Sequence, residues 1–405
     1  MAAEGTGRAL AVLAGGAAAI FAALGVGRFA LGMLLPGTGA GLGLGYAEMG
    51  LLGTANFVGY LAAVLAAGPV AERFGARRVV AASVVLVGAS MLGVAAAPSF
   101  AAAALLYALT GFGSGAANVP VMALVSAWFA PRLRGRAAGL VVSANGIAIA
   151  LAGQGVPVLA AAPGGWRTAW AALGLLCLAC AALAGWLLRD DPARLGLEPV
   201  GGRQAVPAGG GRLPPGLVAH LGAVYFAFGA TYVVYATFVV TTLIDDHGMA
   251  AERAGDFWSL VGLLSLASGP LFGGLSDRIG RRRGLALVFA LQTVAYGLMA
   301  LRPGTAGVLV SVVLYGVSAW AIPTIMAAAV GDLVGAARAG TVFGWITFVF
   351  ALGQVAGPAG AGWLAERVGG FGPAYGAAAV LTAAGTALSL ALRSRRPPAM
   401  MEETP

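Results

Sequence analysis

The sequence predicts an all-α membrane protein of twelve transmembrane helices in two repeated halves. Three observations predict it. The chain of 405 residues is 60% hydrophobic and 10% charged, against about 25% charged residues in soluble domains, so it has too little polar surface to cover a soluble globule. Its apolar residues fall into twelve runs, each close to the roughly 20 residues that a helix needs to cross a bilayer. A charged segment also occurs twice, as GPVAERFGARR at Gly68–Arg78 and GGLSDRIGRRR at Gly273–Arg283. Gly68/Gly273, Arg73/Arg278, Gly75/Gly280, Arg77/Arg282 and Arg78/Arg283 stand in register, with an acid at Glu72 and Asp277.

In chain order the runs cover about 9–35, 46–70, 79–97, 100–128, 137–161 and 168–188, then about 217–243, 254–276, 284–301, 305–331, 340–363 and 373–392. Arg8 followed by an Ala-rich stretch has the look of a signal peptide. The run continues to about Leu35, too long for a signal-peptide core, and is expected to be a retained first span. Asp190–Gly216 is polar, contains PAGGGRLPPG and lacks apolar periodicity, which marks a linker. The expected organisation is a first half at 1–189, a cytoplasmic linker at 190–216 and a second half at 217–405. The basic residues set the orientation. All 24 are arginines, and the loops that share a side with both termini hold all but Arg167, Arg253, Arg302, Arg367 and the intramembrane Arg28. The positive-inside rule then puts both termini in the cytoplasm.

The same distribution explains the formal charge of +9 as topology and argues against nucleic acid as a partner; the expected surroundings are a lipid bilayer. Cys177 and Cys180 form a CxxC inside an apolar run with no neighbouring His or carboxylate, so they read as small packing residues. The Gly-rich stretch Gly37–Gly45 lacks the Lys-Ser/Thr of a phosphate loop and is expected to be a flexible connector. No metal-ligand cluster, cofactor motif or nucleophile–base pair is visible, so neither a cofactor nor an enzymatic activity is expected.

The fourth spans of the halves echo each other (Gly111–Pro120 and Gly316–Pro323), and the fifth and eleventh share Gly/Pro-rich cores. With the repeated hairpins, these features resemble the major facilitator superfamily. Its signature between second and third spans, Gly-x-x-x-Asp-Arg-x-Gly-Arg-Arg, is matched at Gly273–Arg282, while the first half departs from it at Glu72 and Ala76. Within the superfamily, GVGRFALGMLLP at Gly25–Pro36 and NFVGYLAA at Asn56–Ala63 resemble the YbfB-like bacterial permeases. The resemblance implies two six-helix bundles related by a pseudo-two-fold axis, a bacterial inner-membrane location, a monomer, and alternating access to a central site. It also implies that Glu72, Arg73, Asp277 and Arg278 form gating contacts at the cytoplasmic ends of helices.

A charged residue within a span costs about 2.5–3.5 kcal/mol on insertion scales and usually has a use. Arg28 is the clear case, placed about 12 Å below the outer end if the span closes near Pro36. Two readings are open: it faces the cavity and binds an anion, or it snorkels outward or pairs with Glu48. No acid is expected at mid-membrane, which argues against a proton–cation exchanger, and His220 is expected at the interface. Tyr225, Phe228, Tyr232 and Tyr235 share a face of span seven. Candidate substrate contacts besides Arg28 are Asn56, Tyr60, Asn118, Tyr232, Tyr235, Trp320 and Trp345. Asn145, Gln154 and Gln354 are further intramembrane amides with a structural reading. The expected function is secondary-active transport of a small organic anion such as a monocarboxylate, possible proton coupling being carried by a weak-acid substrate itself. An exporter of amphipathic drug-like compounds is the alternative, with a non-transporting sensor of the same fold as a third class.

Overall fold

Twelve helices long and apolar enough to cross a bilayer occur among the described residues. The structure is a computed structural model and describes residues 2–202, 216–302 and 304–392. Helix α1 runs as three continuous segments, Ala2–Ile20, a π-helical turn at Phe21–Phe29, and Leu31–Leu42. The rest of the first half is α2 (Tyr46–Phe74), α3 (Ala76–Ala95), α4 (Phe100–Trp128), α5 (Pro131–Ala160) and α6 (Trp166–Leu187). The second half is α7 (Leu217–Asp245), α8 (Ala251–Ile279), α9 (Arg281–Ala300), a divided α10 (Thr305–Ser318 and Ala321–Val334), α11 (Ala336–Val368) and α12 (Gly372–Ala391).

The predicted repeat is visible in the backbone. Gly75 between α2 and α3 has φ 89° and ψ 134°, and Gly280 between α8 and α9 has φ 91° and ψ 145°. A side chain is strained in that region, so both copies of the hairpin need glycine there. Packing repeats as well: α3 lies along α6 as α9 lies along α12, and the halves meet where α2 faces α11 and α5 faces α8. Exchanging the halves turns each of these two seams into the other. The architecture is therefore two six-helix bundles with pseudo-two-fold symmetry.

Two sequence expectations change. Helix α1 does not end near Pro36. It continues to Leu42, so most of the stretch expected as a flexible connector is helical. Its glycines let α1 approach its neighbours, with Gly37 and Gly41 against Trp166 and Gly39 against Met49, a use of glycine common between membrane helices. Arg28 consequently lies about 21 Å from the helix end at 1.5 Å per residue, instead of about 12 Å. Residues 190–202, expected as the start of the linker, run against the first bundle. Val200 N donates to Trp128 O and Ala130 N to Val200 O, each at 2.9 Å. The rest of the expected linker, 203–215, lies outside the described residues.

The seams are closed at the end opposite the two arginine hairpins. Across α2/α11, Thr54 Oγ1 donates to Val355 O at 2.9 Å and accepts from Ala359 N at 3.1 Å. Across α5/α8, Gln154 Nε2 donates to Asp256 Oδ1 and to Ser259 Oγ at 3.0 Å each, and Ser259 Oγ donates to Ala150 O at 2.8 Å. A Cβ on Gly146 would stand 2.7 Å from Gly262 O, and Gly153 meets Gly255 in the same way. Tyr46 OH donates to Asp245 at 3.1 Å and Ala47 N to Glu366 at 3.2 Å, latching the bundles at the tips. In the hairpin halves of α2, α5 and α11, by contrast, Gly68, Gly135, Gly139, Gly340 and Gly344 face open space. The molecule is sealed at the far end and splayed at the hairpin end.

Glycines between the bundles and glycines within one bundle should respond differently to a side chain. Gly111 packs on the Asn56 backbone inside the first bundle, so Gly111→Leu should prevent recovery of folded protein. Gly153→Leu should fold but hold the far end apart, seen as a longer distance between spin labels at exposed Leu51 and Val368. An unchanged distance would count against a closure that rests on the glycine seams.

Candidate functional site

The π segment of α1 is the local origin of the site. Widening the helix to i→i+5 bonding, as in Ala30 N to Gly25 O at 3.2 Å, changes which carbonyls are bonded within the helix. Neighbouring side chains supply donors. Tyr107 OH donates to Arg28 O at 3.2 Å, Asn56 Nδ2 to Gly27 O at 3.3 Å, and Ser114 Oγ to Ala23 O. Cys177 Sγ sits 3.6 Å from Ala22 O, so the CxxC motif contributes a packing thiol, and both cysteines are free. Helices α2, α4 and α6 thus hold the wide turn open.

That turn carries Arg28. The side chain is 8% exposed and its guanidinium lies over two rings, 4.1 Å from the centre of Tyr60 and 4.5 Å from that of Phe57. Such contacts are worth up to about 2 kcal/mol when desolvated, but they leave the edge of the guanidinium bare. Nε and Nη2 are buried without hydrogen-bond partners, and none of the ion pairs among the described residues includes Arg28. Glu48 is occupied elsewhere: it accepts from Gly45 N at 3.2 Å and caps its own helix. A small cavity of about 10 Å³ lies beside Arg28, Asn56, Tyr107 and Thr237, and no acid lines it.

The second bundle completes the cluster. Helix α10 breaks at Ala319–Trp320, where Ser268 Oγ accepts the Trp320 N–H at 3.0 Å. The Trp320 ring meets Phe29 at 5.0 Å and Tyr232 at 6.0 Å, so the two irregular helices touch at one level. Tyr232 hydrogen-bonds Gln354 and interacts with Arg28. Asn118 Nδ2 donates to Tyr60 OH at 2.9 Å. Of the residues singled out from sequence, Arg28, Asn56, Tyr60, Asn118, Tyr232 and Trp320 therefore stand together between the bundles.

Two others stand apart. Tyr235 stacks on Tyr315 at 4.0 Å and bonds Ser311 at 2.9 Å inside the second bundle. The reason is angular: ten residues at 3.6 per turn fall about 80° short of three full turns, enough to rotate Tyr235 away from Tyr225 and Tyr232. Trp345 is 64% exposed. Gln354, read from sequence as structural, lies in the cluster, and so do Phe57 and Phe350. Its Gly/Pro-rich surroundings in α11 were the available signal, since they permit the bundles to come close there. His220 is tied to the Leu388 carbonyl at 2.8 Å, away from the cluster.

At the hairpins, Glu72, Arg73, Asp277 and Arg278 are all exposed. Asp277 pairs with Arg281, which also bonds Asp332 at 2.9 Å and Ser276 at 2.8 Å. The first half has Ala76 where the second has Arg281. There the hairpin is tied differently, Asp190 accepting from the Arg77 backbone at 2.6 Å. Each network lies within one bundle.

A pair of duplicated bundles enclosing a buried, irregular-helix site is the architecture of a membrane transporter. The sequence profile of the Major Facilitator Superfamily matches residues 17–358 and again 221–405, and the chain belongs to that superfamily. It is similar to a hexuronate transporter of Bacillus subtilis (24% identical, covering 86% of each chain) and to a probable sulfoacetate transporter of Cupriavidus necator (26% identical, covering 86% of each). Among solved structures it resembles a nucleoside transporter with a TM-score of 0.73 at 14% identity, covering 95% of this chain and 98% of the other.

The donors around the π segment should matter for stability. Tyr107→Phe and Ser114→Ala each remove a buried hydrogen bond to a carbonyl of the segment, which costs on the order of 0.5–1.5 kcal/mol. Thermal unfolding in detergent should show a clear drop for both; unshifted transitions would mean that the π turn does not need these partners.

Proposed function

We propose that this transporter moves a small organic anion by alternating access, with the Arg28 guanidinium as the anion's counter-charge. The observation that carries the proposal is the bare guanidinium edge, buried where no acid lies beside it. A buried charge needs a partner, and a carboxylate or similar oxyanion matches the planar fork of arginine. The relatives named for hexuronate and sulfoacetate transport, both organic anions, support the class. Asn118, Tyr60, Asn56, Tyr232 and Trp320 would surround the anion. No carboxylate at the site can exchange a proton for a cation, so a proton that accompanies transport would ride on the substrate's own carboxyl group.

The arginine distribution supports cytoplasmic termini in a bacterial inner membrane, which makes the splayed hairpin end cytoplasmic and the structure inward-open. The hairpin acids and arginines, Glu72, Arg73, Asp277 and Arg278, would form the cytoplasmic gate by exchanging partners as the bundles rock. A monomer suffices, since both halves of the site come from one chain. In proteoliposomes loaded for counterflow of labelled organic acids, Arg28→Gln should abolish saturable uptake while purified yield stays normal. Arg28→Lys should recover only part of it, because an ammonium lacks the fork. Wild-type kinetics in Arg28→Gln would refute the assignment.

A further inference from the structure

We infer that the site is built for hydroxylated carboxylates and selects against plain alkyl acids, an inference that rests on the anion reading above. Asn56, 1% exposed, donates from Nδ2 to both Gly27 O and Tyr107 O at 3.3 Å. Two carbonyl acceptors fix the amide orientation, and Oδ1 is left as a buried acceptor with no partner. Gln354, also 1% exposed, is in the same condition: its Nε2 engages Tyr232 and its Oε1 is buried and bare. The site therefore offers unmet donors at Arg28 and unmet acceptors at Asn56 and Gln354. Arg28 and Asn56 line one cavity, and Gln354 bonds Tyr232, whose ring meets Trp320 and through it Phe29, the residue next to Arg28.

A carboxylate answers the donors alone, having no proton to give. The acceptors require an O–H or N–H on the same ligand. An ammonium group would bring a second cation beside Arg28 with no acid lining the cavity to offset it. A hydroxyl meets the need without added charge. A buried acceptor left unpaired by an analogue that lacks the hydroxyl discriminates strongly against that analogue.

The test uses matched pairs, lactate against propionate and gluconate against hexanoate, titrated by calorimetry into the purified full-length protein. The hydroxylated member of at least one pair should bind on the order of tenfold or more tightly. Gln354→Leu should bring that ratio towards one, the hydroxylated acid losing several-fold more affinity than the plain acid, whereas a merely structural role would weaken both members of a pair alike. Equal binding within both pairs by the wild type, or an unaltered ratio in Gln354→Leu, overturns the inference and leaves the anion reading intact. Failure of all four acids to bind, with Arg28→Gln indistinguishable from wild type, overturns both.

Discussion

An unneutralised guanidinium in a low-dielectric interior is the constraint around which this structure is arranged. In water the charge of Arg28 would be solvated; between the bundles it has two aromatic faces and no counter-ion. Ring contacts offset only part of the lost hydration. Burial at this level persists because the surrounding backbone holds the side chain in place. The π turn, braced by donors from α2 and α4, leaves Arg28 on the face where α1 meets Tyr60 and Tyr232.

Irregular backbone at membrane depth is tolerated where protein satisfies it, and here it is satisfied twice over at one level. The carbonyls of the α1 turn receive Tyr107, Asn56 and Ser114, and the interruption of α10 receives Ser268. Phe29 against Trp320 joins the two interruptions directly. Both breaks lie where the bundles face each other, which is where a transporter needs a surface other than the smooth wall of a regular helix.

The duplicated fold was legible because bilayer thickness and positive-inside sorting leave strong marks on composition: twelve runs became twelve helices, and Gly75 and Gly280 adopt matching conformations. The location of Arg28 in a span was legible for the same reason, since charges there are rare. Its depth was not. Pro36 and the following glycines look like a helix end to local rules, while in a membrane bundle they are packing surfaces for Trp166 and Met49. The π turn has no residue signature, because it arises from tertiary donors distributed over three other helices. The tyrosine stripe of α7 failed as a unit for a geometric reason. Helical spacing keeps Tyr225, Phe228 and Tyr232 near one another, but an 80° drift carries Tyr235 into a different environment.

The distribution of bonds between the bundles suggests how an occupied site would act on the gates. At the far tips, the second bundle supplies carboxylates, Asp245 and Glu366, and the first supplies neutral donors, Tyr46 OH and Ala47 N. Such bonds are individually modest, so the glycine seams behind them carry much of the closure through close packing. The buried cluster around Arg28 lies on the hairpin side of those seams and draws on both bundles: Arg28, Asn56 and Tyr60 from one, Tyr232, Trp320 and Gln354 from the other. A ligand that bonds Arg28 and Gln354 together pulls the bundles towards each other at that level, and it can shift the equilibrium only by the difference in its affinity for the two states. A splayed hairpin end is the state in which Nε and Nη2 of Arg28 stay unpaired. On the anion reading, occupation would favour drawing that end closed, and the tip bonds would then be what opposes opening at the far end.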